Sequence, residues 1–355
     1  MQITKSDLAK IVAQASSLSE RLPVESFAVN HTGIGESQNH PRLERWCQVV
    51  GQGNWEKFTK RLIWDELNLE QANQIVRSLP PVNPEFLPTW AETLNEIIQA
   101  AWLLVNDPEK RGEIFSCELK DQHNFVSEDE YNHPATSQID KLPLDPGLRL
   151  PFKEILLPAI SVARQKLLNY LSYPTFSPLE LLSISAYFTL ERNLLNQLLN
   201  LSGKTLEYEF ARSRPLGQNL LNLLRQSTGD RAQIKVQYDA FVQKILQDGL
   251  VTFFQNYPVL GRLMATAIDF WVEATAKFLQ RLQTNLKEIQ QIFKPEQSSL
   301  SQLGKVITIK PALSDPHNSG NTVIALTFES GLQVVYKPKG LGAEVAYTQF
   351  LEWCN

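Results

Sequence analysis

Cysteine is scarce in this chain, and the few that occur are scattered. Cys47, Cys117 and Cys354 are the three cysteines in 355 residues, too few and too far apart for a disulfide frame, and they point to reduced thiols in a cytoplasmic protein. His123 and His133 lie near Cys117, but their spacing matches no closed zinc site. A run of roughly 18 apolar residues, the length needed to cross a bilayer, is also missing. Met1-Gln-Ile-Thr-Lys-Ser-Asp has no apolar signal core, so neither a membrane span nor a secretory leader is expected. Positive charge is not in excess: 34 Lys and Arg against 38 Asp and Glu give a formal net charge of -4. That argues against nucleic acid as the main partner and against a surface held to anionic lipid. Finally, His31-Thr-Gly-Ile-Gly-Glu36 has no strand before it and no third glycine, so it reads as a surface loop and not as a dinucleotide fingerprint.

What is present is apolar residue in quantity, 43% of the chain, enough for a sizeable core and for more than one domain. The pattern is helical for the first 300 residues. A short helix is predicted near Ser6–Leu22, then helices over Trp55–Leu79 and Thr89–Asn106, separated by Pro80-Pro81. Residues 118–141 are polar and read as a mobile loop. Leu142-Pro-Leu-Asp-Pro-Gly147 is an extended connector, and Pro151 opens a second helical block. There Ser177-Pro178 caps a helix running through Leu181, Ile184, Phe188 and Leu195, which Gly203 closes. After a break at Gly229-Asp230 another helix is expected up to Phe254. Pro258 then starts a long helix whose stripe of Leu260, Leu263, Met264, Ala267, Trp271, Ala274, Phe278 and Leu282 is most simply core. Near residue 304 the composition changes to β-branched residues, Val306 to Ile309 and Thr322 to Ile324. We place a boundary close to Gln297–Gly304. The expected organisation is a helical region over 1–142, a second over 143–300, and a β-containing unit over 301–355. The fold class is α+β, mainly α-helical.

The C-terminal unit carries the candidate chemistry. Ser314-Asp-Pro-His-Asn-Ser-Gly320 sits in a hairpin-like run from Ile307 to Glu329, and Leu332-Gln-Val-Val-Tyr-Lys337 reads as a strand ending in lysine. A turn between two strands can lie over phosphates, and a lysine on the next strand can neutralise them, an order that implies ATP chemistry. Gln333, Val335 and Lys337 share one strand face and Leu332, Val334 and Tyr336 the other. Lys337 also fits the plainer reading of a solvated strand-end lysine. Asp315 and His317 can place a proton-transfer group beside a phosphate, or simply form an Asx-type turn. Gly320 permits a positive φ where the chain reverses. Glu344 and Glu352 follow on a helix over Ala343–Trp353, where either can pair with Lys337 or act as a plain surface acid.

Several segments together resemble the dehydratase region of class II lanthipeptide synthetases. They are Leu150-Pro-Phe-Lys-Glu-Ile-Leu-Leu-Pro158, Tyr257-Pro-Val-Leu-Gly-Arg-Leu-Met-Ala265, Phe270-Trp-Val-Glu-Ala-Thr-Ala-Lys-Phe-Leu-Gln-Arg281, Asp315-Pro-His-Asn-Ser-Gly320 and Val335-Tyr-Lys-Pro-Lys339. The match covers most of the chain from about residue 140 onward. The resemblance implies a lipid-kinase-like core with helical additions, of which residues 301–355 begin the N-lobe. It implies an enzyme that uses ATP and Mg2+ to phosphorylate Ser and Thr of a leader-bearing precursor peptide, then eliminates phosphate to leave dehydroamino acids. The family's active-site positions fall on Asp315, His317 and Lys337, with Lys337 and Gly320 on the nucleotide side. A kinase-like site also needs an Asp or His on a catalytic loop, an Asn and a further Asp for magnesium. The family places these, its elimination residues and its zinc-binding cyclase beyond the helix that ends this sequence. The expectation is therefore the N-terminal part of a dehydratase, either a truncated reading frame or one half of a split enzyme, with little or no activity alone, whose exposed Phe350, Leu351 and Trp353 fit truncation or a complementing C-terminal half.

Two other readings stay open. One is a helical module without chemistry that grips a leader peptide or a partner subunit in an apolar groove. The other is a generic kinase, disfavoured because the turn lacks Gly-x-Gly-x-x-Gly and the strand reads Val-Tyr-Lys and not Val-Ala-Ile-Lys.

Overall fold

Leu94, Ile97, Ile98 and Ala101 recur at three- and four-residue intervals, which sets them on one helical stripe. In the computed structural model they lie on a helix over Thr89–Asn106 and are fully buried. The structure describes residues 3–17, 20, 41–77, 82–106, 139, 142, 144, 150–172, 175–213, 230–293, 303–340 and 342–354. Among these the chain is mainly helical, with one three-stranded antiparallel sheet near its C-terminal end. The helices are α1 (Lys5–Gln14), α2 (Pro41–Gly51), α3 (Trp55–Trp64), α4 (Leu69–Arg77), α5 (Thr89–Asn106), α6 (Lys153–Tyr170), α7 (Ile184–Ser213), α8 (Asp230–Leu246), α9 (Val251–Asn256), α10 (Pro258–Ile292) and α11 (Gly342–Cys354). The strands are β1 (Val306–Lys310), β2 (Ile324–Phe328) and β3 (Gln333–Tyr336).

Helices α5, α6, α7 and α10 pack on one another as the central bundle. Helix α10 opens with Pro258 at its first position, where the missing N–H is no loss. Of its stripe, Leu260, Met264, Trp271, Phe278 and Leu282 are buried as core, whereas Leu263 is exposed and Ala267 and Ala274 are half-buried. The Trp271 indole N–H donates to the Leu190 carbonyl at 3.2 Å, tying α10 to α7. Lys166 on α6 reaches Asp269 on α10 at 3.1 Å.

The bundle also encloses an ion pair. Arg164 on α6 meets Glu191 on α7 through two hydrogen bonds of 2.7 Å, Nε to Oε1 and Nη2 to Oε2. Arg164 Nη1 donates to the Leu142 carbonyl, and the Tyr187 hydroxyl donates to Glu191 Oε1 at 2.8 Å. All three side chains are buried. Burial, reinforced by the Glu191 charge, pushes the Tyr187 phenol well above its usual range.

The sheet has the order β1-β2-β3. Its inner face, Val306, Ile309, Ile324, Leu326 and Phe328, belongs to the same hydrophobic cluster as the bundle. The outer edge of β1 is not free: the Val306 N–H donates to the Leu181 carbonyl at 2.8 Å and the Ser183 N–H to the Val306 carbonyl at 2.9 Å, a short parallel bridge. A second, smaller cluster lies in α2, α3 and α4, where Leu43, Cys47, Phe58, Leu62, Ile75 and Val76 pack together.

Several boundaries differ from the sequence expectation, each for a local reason. Ser177 forms a capping box with Glu180, but the turn it caps is a single 3-10 turn, Pro178–Glu180. The chain then extends through Leu181–Ser183 to pair with β1 before α7 begins. Gly203 does not close α7, which continues to Ser213. A glycine in a helix interior costs about 1 kcal/mol, and continued burial of Ser202, Leu206 and Phe210 on the same stripe outweighs it. The helix expected up to Phe254 stops at Leu246, because Gly249 and Leu250 both take φ of 68° and Asp248 caps the restart at Thr252. Trp55–Leu79 is two helices, split where Glu66 has φ 58° and the Asn68 and Gln71 side chains and amides cap each other. Helix α1 ends at Gln14, and α2 was not foreseen because its stripe is short. Residues 31–36, Cys117, His123, His133, nearly all of 118–141 and most of the 297–304 boundary lie outside the described residues. No helix among the described residues is long and apolar enough to cross a membrane.

Candidate functional site

The connection from β1 to β2, residues 311–323, is held by its own hydrogen bonds. The Leu313 N–H donates to the Val323 carbonyl at 3.0 Å, and the Val323 N–H donates to the Ser314 hydroxyl at 3.1 Å. Farther out, His317 and Asn321 exchange two backbone bonds of 2.9 and 2.8 Å. The Asn321 side-chain amide donates to the Asn318 carbonyl. The reversal between them needs left-handed backbone at Asn318, Ser319 and Gly320, with φ of 41°, 65° and 85°. Asn tolerates that region and glycine enters it freely. Asp315 and His317 thus sit exposed on one tightly folded turn.

Gly320 has a second reason to be glycine. A Cβ there would stand 3.2 Å from Phe270 Cβ on α10, so the turn rests against that helix through a glycine. Gly320→Ala is expected to lower stability by about 1–3 kcal/mol, from the positive φ and the close contact together. Urea unfolding checks this, and an unchanged midpoint would contradict the seating of the turn on Phe270.

Strand register places Lys337. Ile324, Ala325, Leu326 and Thr327 pair with Tyr336, Val335, Val334 and Gln333. Lys337 follows directly, and continuing the register sets it opposite Val323, whose N–H and C=O hold Ser314 and Leu313. The connection that carries Asp315 and His317 and the lysine therefore leave the sheet at the same end. The expected alternation holds: Gln333, Val335 and Lys337 are exposed, whereas Val334 and Tyr336 are half-buried. The strand itself ends at Tyr336, one residue short of the lysine.

Lys310 is a residue that sequence reasoning missed. It pairs with Ala325, which pairs with Val335, so Lys310 shares the open face of the sheet with Val335 and Lys337. Alternation with the buried Ile309 gives its face, but its place beside Lys337 follows only from the cross-strand register. Opposing charge comes from α11. Glu344 ion-pairs with Lys339 at 3.1 Å, and not with Lys337. That hydrogen-bonded ammonium holds the Glu344 carboxyl below its ordinary range, with Lys337 adding a smaller attraction. Helix α11 buries none of its residues, and Phe350 and Trp353 stack on each other at 6.3 Å on its surface.

Chemically, the arrangement offers two ammonium groups on one open face beside a polar turn, which suits a polyphosphate. Among the described residues no group of three or more His, Cys, Asp or Glu side chains could hold a metal ion.

No curated protein matches the chain. Residues 257–355, which comprise α10, the sheet with its turn, and α11, match the family described as Domain of unknown function (DUF4135).

Proposed function

We propose that the 257–355 region is the phosphate-binding part of an ATP-dependent Ser/Thr dehydratase, of the kind that the sequence resembles in class II lanthipeptide synthetases. What supports this reading is the placement of the 311–323 connection and Lys337 at the same end of the sheet, with Lys310 on the same open face as Lys337. Lys337 and Lys310 draw in and orient the triphosphate by charge. Gly320 lets the turn close, and the turn holds Asp315 and His317 beside the γ-phosphate. A Ser or Thr hydroxyl of a leader-bearing precursor peptide attacks that phosphorus: the new O–P bond forms, the bond to ADP breaks, and the hydroxyl proton passes to a nearby base, for which His317 is suited. In the second step a base takes the α-proton, the C–H electron pair forms the Cα=Cβ bond and the Cβ–O bond breaks to release phosphate, giving dehydroalanine or dehydrobutyrine. Magnesium, when bound, neutralises charge on the phosphates. In this reading the magnesium ligands and the elimination residues are groups other than Asp315, His317, Lys310 and Lys337.

The test is a calorimetric titration of the chain with ATP, with and without magnesium chloride. Lys337→Ala is expected to weaken binding by at least about tenfold, the worth of one charge-assisted phosphate contact. Equal affinity in the wild type and the variant would overturn the reading.

A further inference from the structure

Lys337 stands just past the last laddered residue of β3, and β3 is the edge strand of the sheet. The hydrogen-bond ladder therefore does not fix it. The following residue, Pro338, has no N–H to anchor the backbone and only restricts Lys337 to an extended conformation. Yet the two residues flanking the lysine are both held from the same side. On α10, Arg281 Nη1 donates to the Tyr336 hydroxyl at 3.0 Å and reaches the Pro338 carbonyl at 3.4 Å. Its guanidinium lies 6.0 Å from the Tyr336 ring centroid, and the Tyr336 ring packs on Phe278 of the same helix at 5.3 Å.

We propose that Arg281 is a positioning residue for Lys337: by bridging the Tyr336 hydroxyl and the Pro338 carbonyl, it ties the side chain before the lysine and the backbone after it to α10 and aims the ammonium over the open face of the sheet. The inference rests on the reading of that face as a nucleotide site. Helix α10 then supports both halves of the site, the turn through Phe270 against Gly320 and the lysine through Arg281. Those two supports are three helical turns apart, about 16 Å along the axis. The rigid bundle beneath α10 so fixes the distance between turn and lysine. Arg281 does not touch the nucleotide in this scheme. A lysine in its place keeps the charge but is shorter and lacks the planar guanidinium that lies by the Tyr336 ring while its Nη1 meets both acceptors, so charge and tether are separable.

The experiment compares the full chain with its Arg281→Ala, Arg281→Lys, Tyr336→Phe and Lys337→Ala variants, using Mg-ATP as the probe. Calorimetry reads affinity, and amide hydrogen exchange reads the peptide covering residues 336–340. Arg281→Ala and Arg281→Lys are both expected to weaken ATP about three- to tenfold, the worth of one net hydrogen bond, and to speed exchange in that peptide while the melting temperature holds. In the Tyr336→Phe background the effect of Arg281→Ala should shrink, because one acceptor is already gone. If Arg281→Ala binds ATP as the wild type does while Lys337→Ala fails to, the positioning role is overturned and the nucleotide site stands. If Arg281→Lys restores full affinity, charge and not tethering is responsible, and the role is again overturned. If neither the wild type nor Lys337→Ala binds ATP, the nucleotide reading fails and takes this inference with it.

Discussion

Replacing Glu191 with alanine is expected to cost about 3–5 kcal/mol of folding stability, because it strands a buried guanidinium without its carboxylate. Arg164 and Glu191 expose only 7% and 3% of their side chains, so water cannot replace the lost partner. The Tyr187 hydroxyl also loses its acceptor, and a buried polar group left unsatisfied adds to the penalty. The double replacement Arg164→Met with Glu191→Leu removes both charges and is expected to cost far less than Glu191→Ala, since apolar side chains of similar size often match or exceed a buried ion pair. Chemical denaturation of Arg164→Met, Glu191→Leu and the double variant reads the coupling directly. Additive losses would contradict the coupled pair. The consequence for function is indirect: Arg164 and Glu191 join α6 to α7, and the segment that leads into α7 is the one that pairs with β1.

The second large effect is expected at Phe278. This side chain is 1% exposed, within the bundle, and its ring faces Tyr336 of β3. Phe278→Ala should lose about 3–5 kcal/mol through lost burial and the cavity left behind. Phe278→Leu keeps most of the volume and should lose only about 1 kcal/mol. Because Tyr336 rests on Phe278, the alanine variant should also loosen the strand end next to Lys337. Its hydrogen exchange should rise in the 333–340 peptide well before global unfolding. Loss of stability without that local change would mean that the strand end is held elsewhere.

Much of this arrangement could be read from the chain, and the rest depends on contacts between distant residues. The stripe of α10 and the alternation of Gln333, Val334, Val335 and Tyr336 are local periodicities, so helix, strand and exposed face follow from sequence. Gly320 was legible as a positive-φ position for the same reason, although the left-handed φ of Asn318 and Ser319 was not, since neither residue requires it. Gly203 misled because propensity is a weak prior beside burial: the stripe of α7 continues past it. Leu181–Ser183 read as helix because the partner that extends it, Val306, lies more than a hundred residues away. Register is equally non-local. Lys310 joins the face of Lys337 only through β2, and the placement of the turn and the lysine at one end of the sheet is a property of three strands together. The contact of Arg281 with Tyr336 and Pro338 has no local signature at all.

The most direct measurement of the central claim is covalent labelling by an acyl phosphate derivative of ATP, which acylates a lysine lying beside bound phosphates. Peptide mapping by mass spectrometry then identifies the labelled residue. Label concentrated on Lys337, with a smaller amount on Lys310, and suppressed by excess ATP is the expected result. Label spread over exposed lysines without preference, and unaffected by ATP, would contradict a nucleotide site at this end of the sheet.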